Sequence, residues 1–166
     1  SNTIKIFMSA TGENVEEYIQ KIVKVKPINY KIPFDWSFIA TLNFYHNDAS
    51  LSEFAKAVIE NGQKGIFFIQ QATKAYSFYQ EFQQYALFNC SKQNEKYYKH
   101  VNEDKINQML KEQKFEENIL ITTSCMDAGV NIIDPLVRFI FIDIKDVGSL
   151  IQCMGRKRIQ SPEDTI

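Results

Sequence analysis

The stretch GIFFIQQATKAYSFYQEF (65–82) changes its periodicity half-way. Its first five residues carry no polar side chain and do not alternate, which is how a strand covered on both faces reads. From Thr73 onward Ala75, Phe78, Tyr79 and Phe82 recur at the three- and four-residue spacing of one helical face. The spacing predicts a strand over 65–70 followed directly by a helix over 73–84.

Working outward, the same unit repeats. ALFNC (86–90) reads as a short strand, and 102–114 as a helix with Ile106, Met109 and Leu110 inward. NILITT (118–123) and VRFIFID (137–143) are further apolar strands, and 147–154 opens a last helix. Upstream, 4–8 is a compact strand-like run. A helix over 14–23 places Val15, Tyr18, Ile19 and Ile22 on one face. The aromatic and β-branched run 38–45 predicts another strand. Ser50-Leu51-Ser52-Glu53 has the spacing of a capping box. It opens a helix with Leu51, Phe54, Ala55, Val58 and Ile59 on one face, stopped by Gly62 in a left-handed conformation. Strands written as solid apolar runs and separated by helices indicate an α/β fold. The expected form is an open, mostly parallel sheet with helices on both faces. In such sheets ligands sit at the carboxyl ends of the strands.

The 166 residues suffice for a domain with a real core, and 45% hydrophobic with 23% charged residues is ordinary for a soluble globular chain. Net charge is −1, so any nucleic-acid role must come from a local patch or a partner lobe. No run approaches the length of a membrane span, and the first ten residues do not have the form of a signal peptide. Cys90, Cys125 and Cys153 are odd in number and lack metal-ligand spacing, and they read as reduced thiols of a cytoplasmic protein. His46 and His100 stand far apart, without a carboxylate or cysteine at ligand spacing, so no metal site is expected.

Three segments at predicted strand or helix ends carry polar chemistry, each with two readings. MSATG (8–12) is either a plain turn with a helix cap or a small-residue loop able to approach a phosphate. ITTSCMDAGVNI (121–132) is either a capped strand end or a row of hydroxyls and amides for backbone phosphates. QCMGRKR (152–158) follows an apolar helix segment. Its cations either complement a solvated helix end, or an arginine offers its planar fork to a phosphate.

Taken in order, with the strands they follow, these segments resemble superfamily 2 DEAD/DEAH-type helicases from motif III to motif VI, in the flavour of bacterial and prophage proteins. Ser9-Ala10-Thr11 is similar to motif III, and 65–82 to motif IV. TSCMDAGVN (123–131) is similar to motif V, and QCMGRKR to motif VI, of the form Q-x-x-G-R. The resemblance implies a motif III strand and interlobe segment over 1–30. The carboxyl-terminal RecA-like lobe would cover 31–166.

It further implies Arg156 as an arginine finger on the γ-phosphate, with Gln152 contacting that phosphate or the attacking water. Arg158 would be a further cation of the same motif. Gly129 and Asn131 would shape the nucleotide edge. Thr123, with Gln70 and Gln71, would touch the nucleic-acid backbone. Ser9 and Thr11 would couple hydrolysis to lobe movement. ATP and magnesium would be bound mainly by an amino-terminal lobe of the same parent chain, and DNA or RNA would be the track. There are departures from the family pattern. Ile159 stands where many relatives have a second arginine, Gln71 where Ser or Thr is usual, and Asn131 where many DEAD-box proteins carry an acid. No G-x-x-x-x-G-K-[ST] phosphate loop occurs in the sequence. The translocase part of a restriction system would share every motif. A non-catalytic α/β binding or scaffold domain, its arginines merely capping a helix, is the rival of a different class.

Overall fold

Among the described residues, β1 (Lys64–Ile69) lies inside a four-stranded, wholly parallel sheet. It is flanked by β3 (Ile119–Thr122) and β4 (Val137–Asp143), and β2 (Ala86–Asn89) lies outside β3. The structure, a computed structural model, describes residues 6, 12–30, 33, 35–123, 126 and 130–166, with Glu13 and Asn14 described by backbone alone. It divides into two compact units, Ser1–Asp35 and Trp36–Ile166. Of the expected strand over 4–8 only Ile6, which is exposed, is described, and Ser9, Thr11, Ser124, Cys125 and Gly129 lie outside the described residues.

In the first unit α1 (Glu13–Tyr18) runs on as a π-helical turn, Ile19–Val23, closed by Lys24 in the left-handed region. The helix expected over 14–23 is present, but Tyr18 and Ile22 on its apolar face are exposed.

In the second unit β1, β2 and β3 bury both faces, as their sequence requires, whereas β4 at the sheet edge is only partly covered and Phe139 is exposed. Phe67 and Ile69 of β1, Phe88 of β2 and Ile119 and Ile121 of β3 face α2 (Asp48–Glu60) and α3 (Ala72–Glu81). Leu51, Ala55, Val58, Ala75, Phe78 and Phe82 close that side. Ile66, Phe68, Leu87 and Leu120 point the other way, onto Ile106 and Met109 of α5 (Glu103–Glu112) and Cys153 of α6 (Val147–Met154). A short helix, α4 (Glu95–Tyr98), precedes α5. Gly65 stands where a Cβ would meet the Phe67 ring at 3.3 Å and Phe139 Cβ at 3.6 Å, so glycine relieves crowding between aromatic neighbours.

The chain leaves β1 on the α2/α3 face and passes β3 to reach β2. It then returns through α5 on the opposite face. Reversing direction and face together keeps the crossovers of one hand. The segment after β3 also crosses on the α5 face, since Met126, Val130 and Ile132 pack there. β1 therefore exits to one side while β3 and β4 exit to the other. Its carboxyl end is the topological switch point, where open α/β sheets bind ligands.

Three local expectations are corrected. Residues 38–45 do not form a strand. Among the described residues only Phe38 and Ala40 pair, through their main chains with Ile166, and Leu42 and Phe44 stay exposed. The α2 cap is Asn47, whose side chain accepts from Ser50 N–H at 2.9 Å. Ser50 lies inside the helix, and no capping box opens it. Phe54 and Leu110, expected inward, are exposed, although the Phe54 ring still lies 5.4 Å from Phe141. Gly62 does take the left-handed stop, at φ 63°. The helix expected over 73–84 ends as an α-helix at Glu81 and finishes in a 3₁₀ turn, Gln83–Tyr85.

Candidate functional site

Strand ends and helix starts position two groups of polar residues. The first gathers at the carboxyl ends of the strands. Gln70 follows β1 directly, is exposed, and donates its N–H to the Asp143 carbonyl at the end of β4, at 3.2 Å. Gln71 is the extended N-cap of α3 and is exposed. Thr123 follows β3 and is buried, at 7% exposure. Its N–H donates to the Asn89 carbonyl at the end of β2, and its own carbonyl accepts from Thr122 Oγ1 at 3.1 Å. Thr123, to which the resemblance gives a nucleic-acid contact, also ties the ends of β2 and β3 together.

Lys74, one turn into α3, completes this group. Its ammonium reaches Asp143 at 2.7 Å and Asp48 at 2.5 Å, tying α3 to the end of β4 and the start of α2. Partial burial works against its charge, but the hydrogen bonds and attraction of the two carboxylates win, and its pKa is raised. Half-buried Tyr45 has its phenol pKa raised, first by burial and then by the Asp143 charge. The Lys74–Asp143 pair is not legible locally, since the two residues are 69 positions apart.

The second group is built on α6 and the strand-like turn after it. Asp146 caps α6, accepting from Ser149 N–H at 2.7 Å. Past the helix, Lys157 makes a parallel bridge to Ile132. Ile132 N–H donates to the Arg156 carbonyl and Arg158 N–H to the Ile132 carbonyl, both at 2.8 Å. Residues 130–132 and 156–158 thus lie side by side.

Extended backbone sends alternate side chains to opposite sides, and the three cations separate accordingly. Lys157 turns inward and is 2% exposed, paired with Asp164 at 2.6 Å. Arg156 is half-buried, its Nε donating to the Gln152 carbonyl and its Nη1 to the Val130 carbonyl, both at 3.2 Å. Arg158 is exposed, its Nε donating to Asn131 Oδ1 at 2.7 Å. Gln152 is half-buried in the last turn of α6. Gly155 has an ordinary helical conformation at φ −70°, and a Cβ there would meet nothing nearer than 3.5 Å. The fold itself does not demand a glycine at that position.

The structure therefore brings Gln152, Arg156, Arg158 and Asn131 together and sets Gln70, Gln71 and Thr123 along the strand ends. Lys157 and Asp164 were not singled out from sequence. Their only signal is a lysine between two arginines, which says nothing of burial. A cleft of about 240 Å³ lined by Lys64, Lys105, Phe115, Glu117 and Asp134 opens at the opposite, amino-terminal ends of the strands. Its Lys64–Asp134 and Lys105–Glu117 pairs are already closed on one another. Among the described residues no group of three or more His, Cys, Asp or Glu side chains is set to hold a metal ion. None of the described helices is long and apolar enough to cross a membrane. Cys90 and Cys153 are buried thiols.

No protein-family model matches the chain, and no curated protein matches it.

Proposed function

We propose that the chain is the second, RecA-like lobe of an ATP-dependent nucleic-acid helicase or translocase. The observation that carries this reading is the bridge between Ile132 and Lys157. It sets Arg156 and Arg158 beside Asn131, on a parallel sheet whose switch point is the carboxyl end of β1. The amino-terminal lobe of the same parent chain would hold ATP and magnesium. DNA or RNA would run along the edge that carries Gln70, Gln71 and Thr123.

The donor set fits a phosphate approached from one side. Arg156, Arg158 and Gln152 supply donors. Cradling glycines and magnesium carboxylates would have to come from the partner lobe. ATP, when bound there, supplies the phosphoryl group that passes to water. This chain's part is electrostatic. The two carbonyls that hold Arg156 fix the plane of its guanidinium before any reaction, and a preorganised cation stabilises charge without reorganising at the moment of transfer. Gln152, one turn earlier, lies within the same helix end to orient a water or a phosphate oxygen.

A second reading has its own observation. The Arg156 Nε bond to the Gln152 carbonyl caps the last turn of α6, which is all that a non-catalytic α/β scaffold would ask of it. Arg156→Ala in the full-length protein separates the two. A finger is worth roughly 10³–10⁵ in turnover. A helix-end cation is worth about 0.3–1 kcal/mol of stability and leaves the rate alone. The expected result is a normal melt, retained ATP binding and lost hydrolysis. A variant that melts normally and hydrolyses ATP at the parent rate puts the scaffold reading in its place.

A further inference from the structure

The cation between the two arginines is the least expected feature of this surface. Lys157 carries a full charge into a site where its side chain is wholly covered, and Asp164 is covered almost as completely. Asp164 is held without help from Lys157. Its N–H donates to the Ser161 carbonyl at 3.0 Å, and its Oδ2 accepts from Gln160 N–H at 3.1 Å. Arg138 of β4 grips the carbonyls on either side of it, Glu163 at 3.0 Å and Thr165 at 3.2 Å. The next residue, Ile166, pairs by main chain with Phe38 and Ala40. Asp164 is thus a fixed anchor on the edge of the sheet. Ile132, fully buried, is a second fixed point, which takes the main chain of Arg156 and Arg158.

We infer that the buried Lys157–Asp164 pair is a positioning device: it pins the segment between its two arginines, so that Arg156 and Arg158 are held on one side of the bridge to Ile132. For their phosphate target this rests on the function proposed above; the positioning itself does not. An apolar pair of similar volume is often as stable as a buried ion pair, or more so. What the charges add is directional demand. An ammonium drawn to one carboxylate admits a single register of residues 156–158 on Ile132, whereas a methionine is satisfied by any apolar surround. Lys157 and Asp164 are accordingly positioning residues and touch no substrate.

Amide hydrogen exchange on the 166-residue chain tests this directly. In Asp164→Asn, exchange of the Ile132 and Arg158 amides should quicken by about tenfold or more, while the amides of β1 and β3 stay protected. Unchanged protection at Ile132 and Arg158 overturns the inference. Equal loss across β1 and β3 also overturns it, since the pair would then serve only global stability. Should Asp164→Asn fail to fold, the double variant Lys157→Met/Asp164→Leu takes its place. It should melt near the parent temperature yet show the same local loss, and local protection at the parent level would overturn the proposal. In the full-length protein the double variant should lower kcat with little change in KM for ATP. If exchange behaves as expected but Arg156→Ala leaves hydrolysis intact, the positioning stands and the helicase reading falls.

Discussion

Arg158 Nε donates to Asn131 Oδ1 at 2.7 Å, and this exposed bond joins the segment after β3 to the segment after α6. The two residues are 27 positions apart, and nothing in the sequence joins them. The bond holds an arginine at the surface without burying it. Asn131→Ala should therefore shift stability by no more than about 0.5 kcal/mol, as surface substitutions do. On the function proposed above, Arg158→Ala in the parent protein should reduce turnover less than Arg156→Ala, because Arg158 lacks the two carbonyls that fix Arg156. Parallel melts and steady-state rates for the three variants check both statements. A larger loss at Arg158 would exchange the roles of the two arginines.

Nucleic-acid binding by the 166-residue chain should be weak and strongly salt-dependent. The net charge is −1, Lys74 is committed to two carboxylates and Lys157 to a third. The strand-end edge then offers two exposed glutamines, which position a backbone but release few counterions. Titrating single-stranded DNA and RNA at two salt concentrations measures it. Nanomolar affinity that survives raised salt would show that the track lies elsewhere on the chain.

Lys64 ties the start of β1 to the turn before β4. It reaches Asp134 at 2.7 Å, with both side chains largely covered, and also donates to the Phe115 carbonyl. Lys64→Met should cost about 3–5 kcal/mol, because the Asp134 carboxylate would be left buried without its counter-charge. Asp134 Oδ1 keeps the Leu136 N–H in either case, which places the expected loss at the lower end. Denaturant unfolding gives the number. A loss below about 1 kcal/mol would mean that water reaches Asp134 and replaces the lysine.

The sheet was legible because its strands are written without compromise. VRFIFID is the whole of β4, and α6 covers the 147–154 expected for the last helix. Residues 38–45 are also rich in aromatic and β-branched residues, but among the described residues only Phe38 and Ala40 pair, with the single residue Ile166, and composition does not reveal pairing: a strand is a property of two segments. The α2 cap was misplaced because HNDASLSE holds several candidates and only the backbone path chooses Asn47. The site was legible as far as its motifs went. The split of GRKR into an inward lysine and two outward arginines depends on Ile132 and Asp164, and nothing within those four letters separates the cations.

Asp146 sets the pH response of the helix that ends in the site. Its side chain accepts the Ser149 N–H at 2.7 Å at the start of α6, where a negative charge also meets the positive end of the helix dipole. The Ser149 side chain and amide, with a smaller share from the Gly148 amide, hold its pKa below the ordinary carboxylate value. A carboxyl whose folded-state pKa lies below its unfolded one stabilises in full above the unfolded value. That stabilisation fades as pH falls through the folded value, when the proton cancels the charge. Asp146→Asn keeps a good capping side chain and removes the titration. The parent should therefore melt higher than Asp146→Asn at neutral pH, and the gap should close as the solution is taken below about pH 4. Thermal melts of both proteins across the acid range measure the gap. If it stays constant into strong acid, the Asp146 charge contributes nothing to α6, and hydrogen-bond geometry alone caps the helix that carries Gln152 and leads into Arg156.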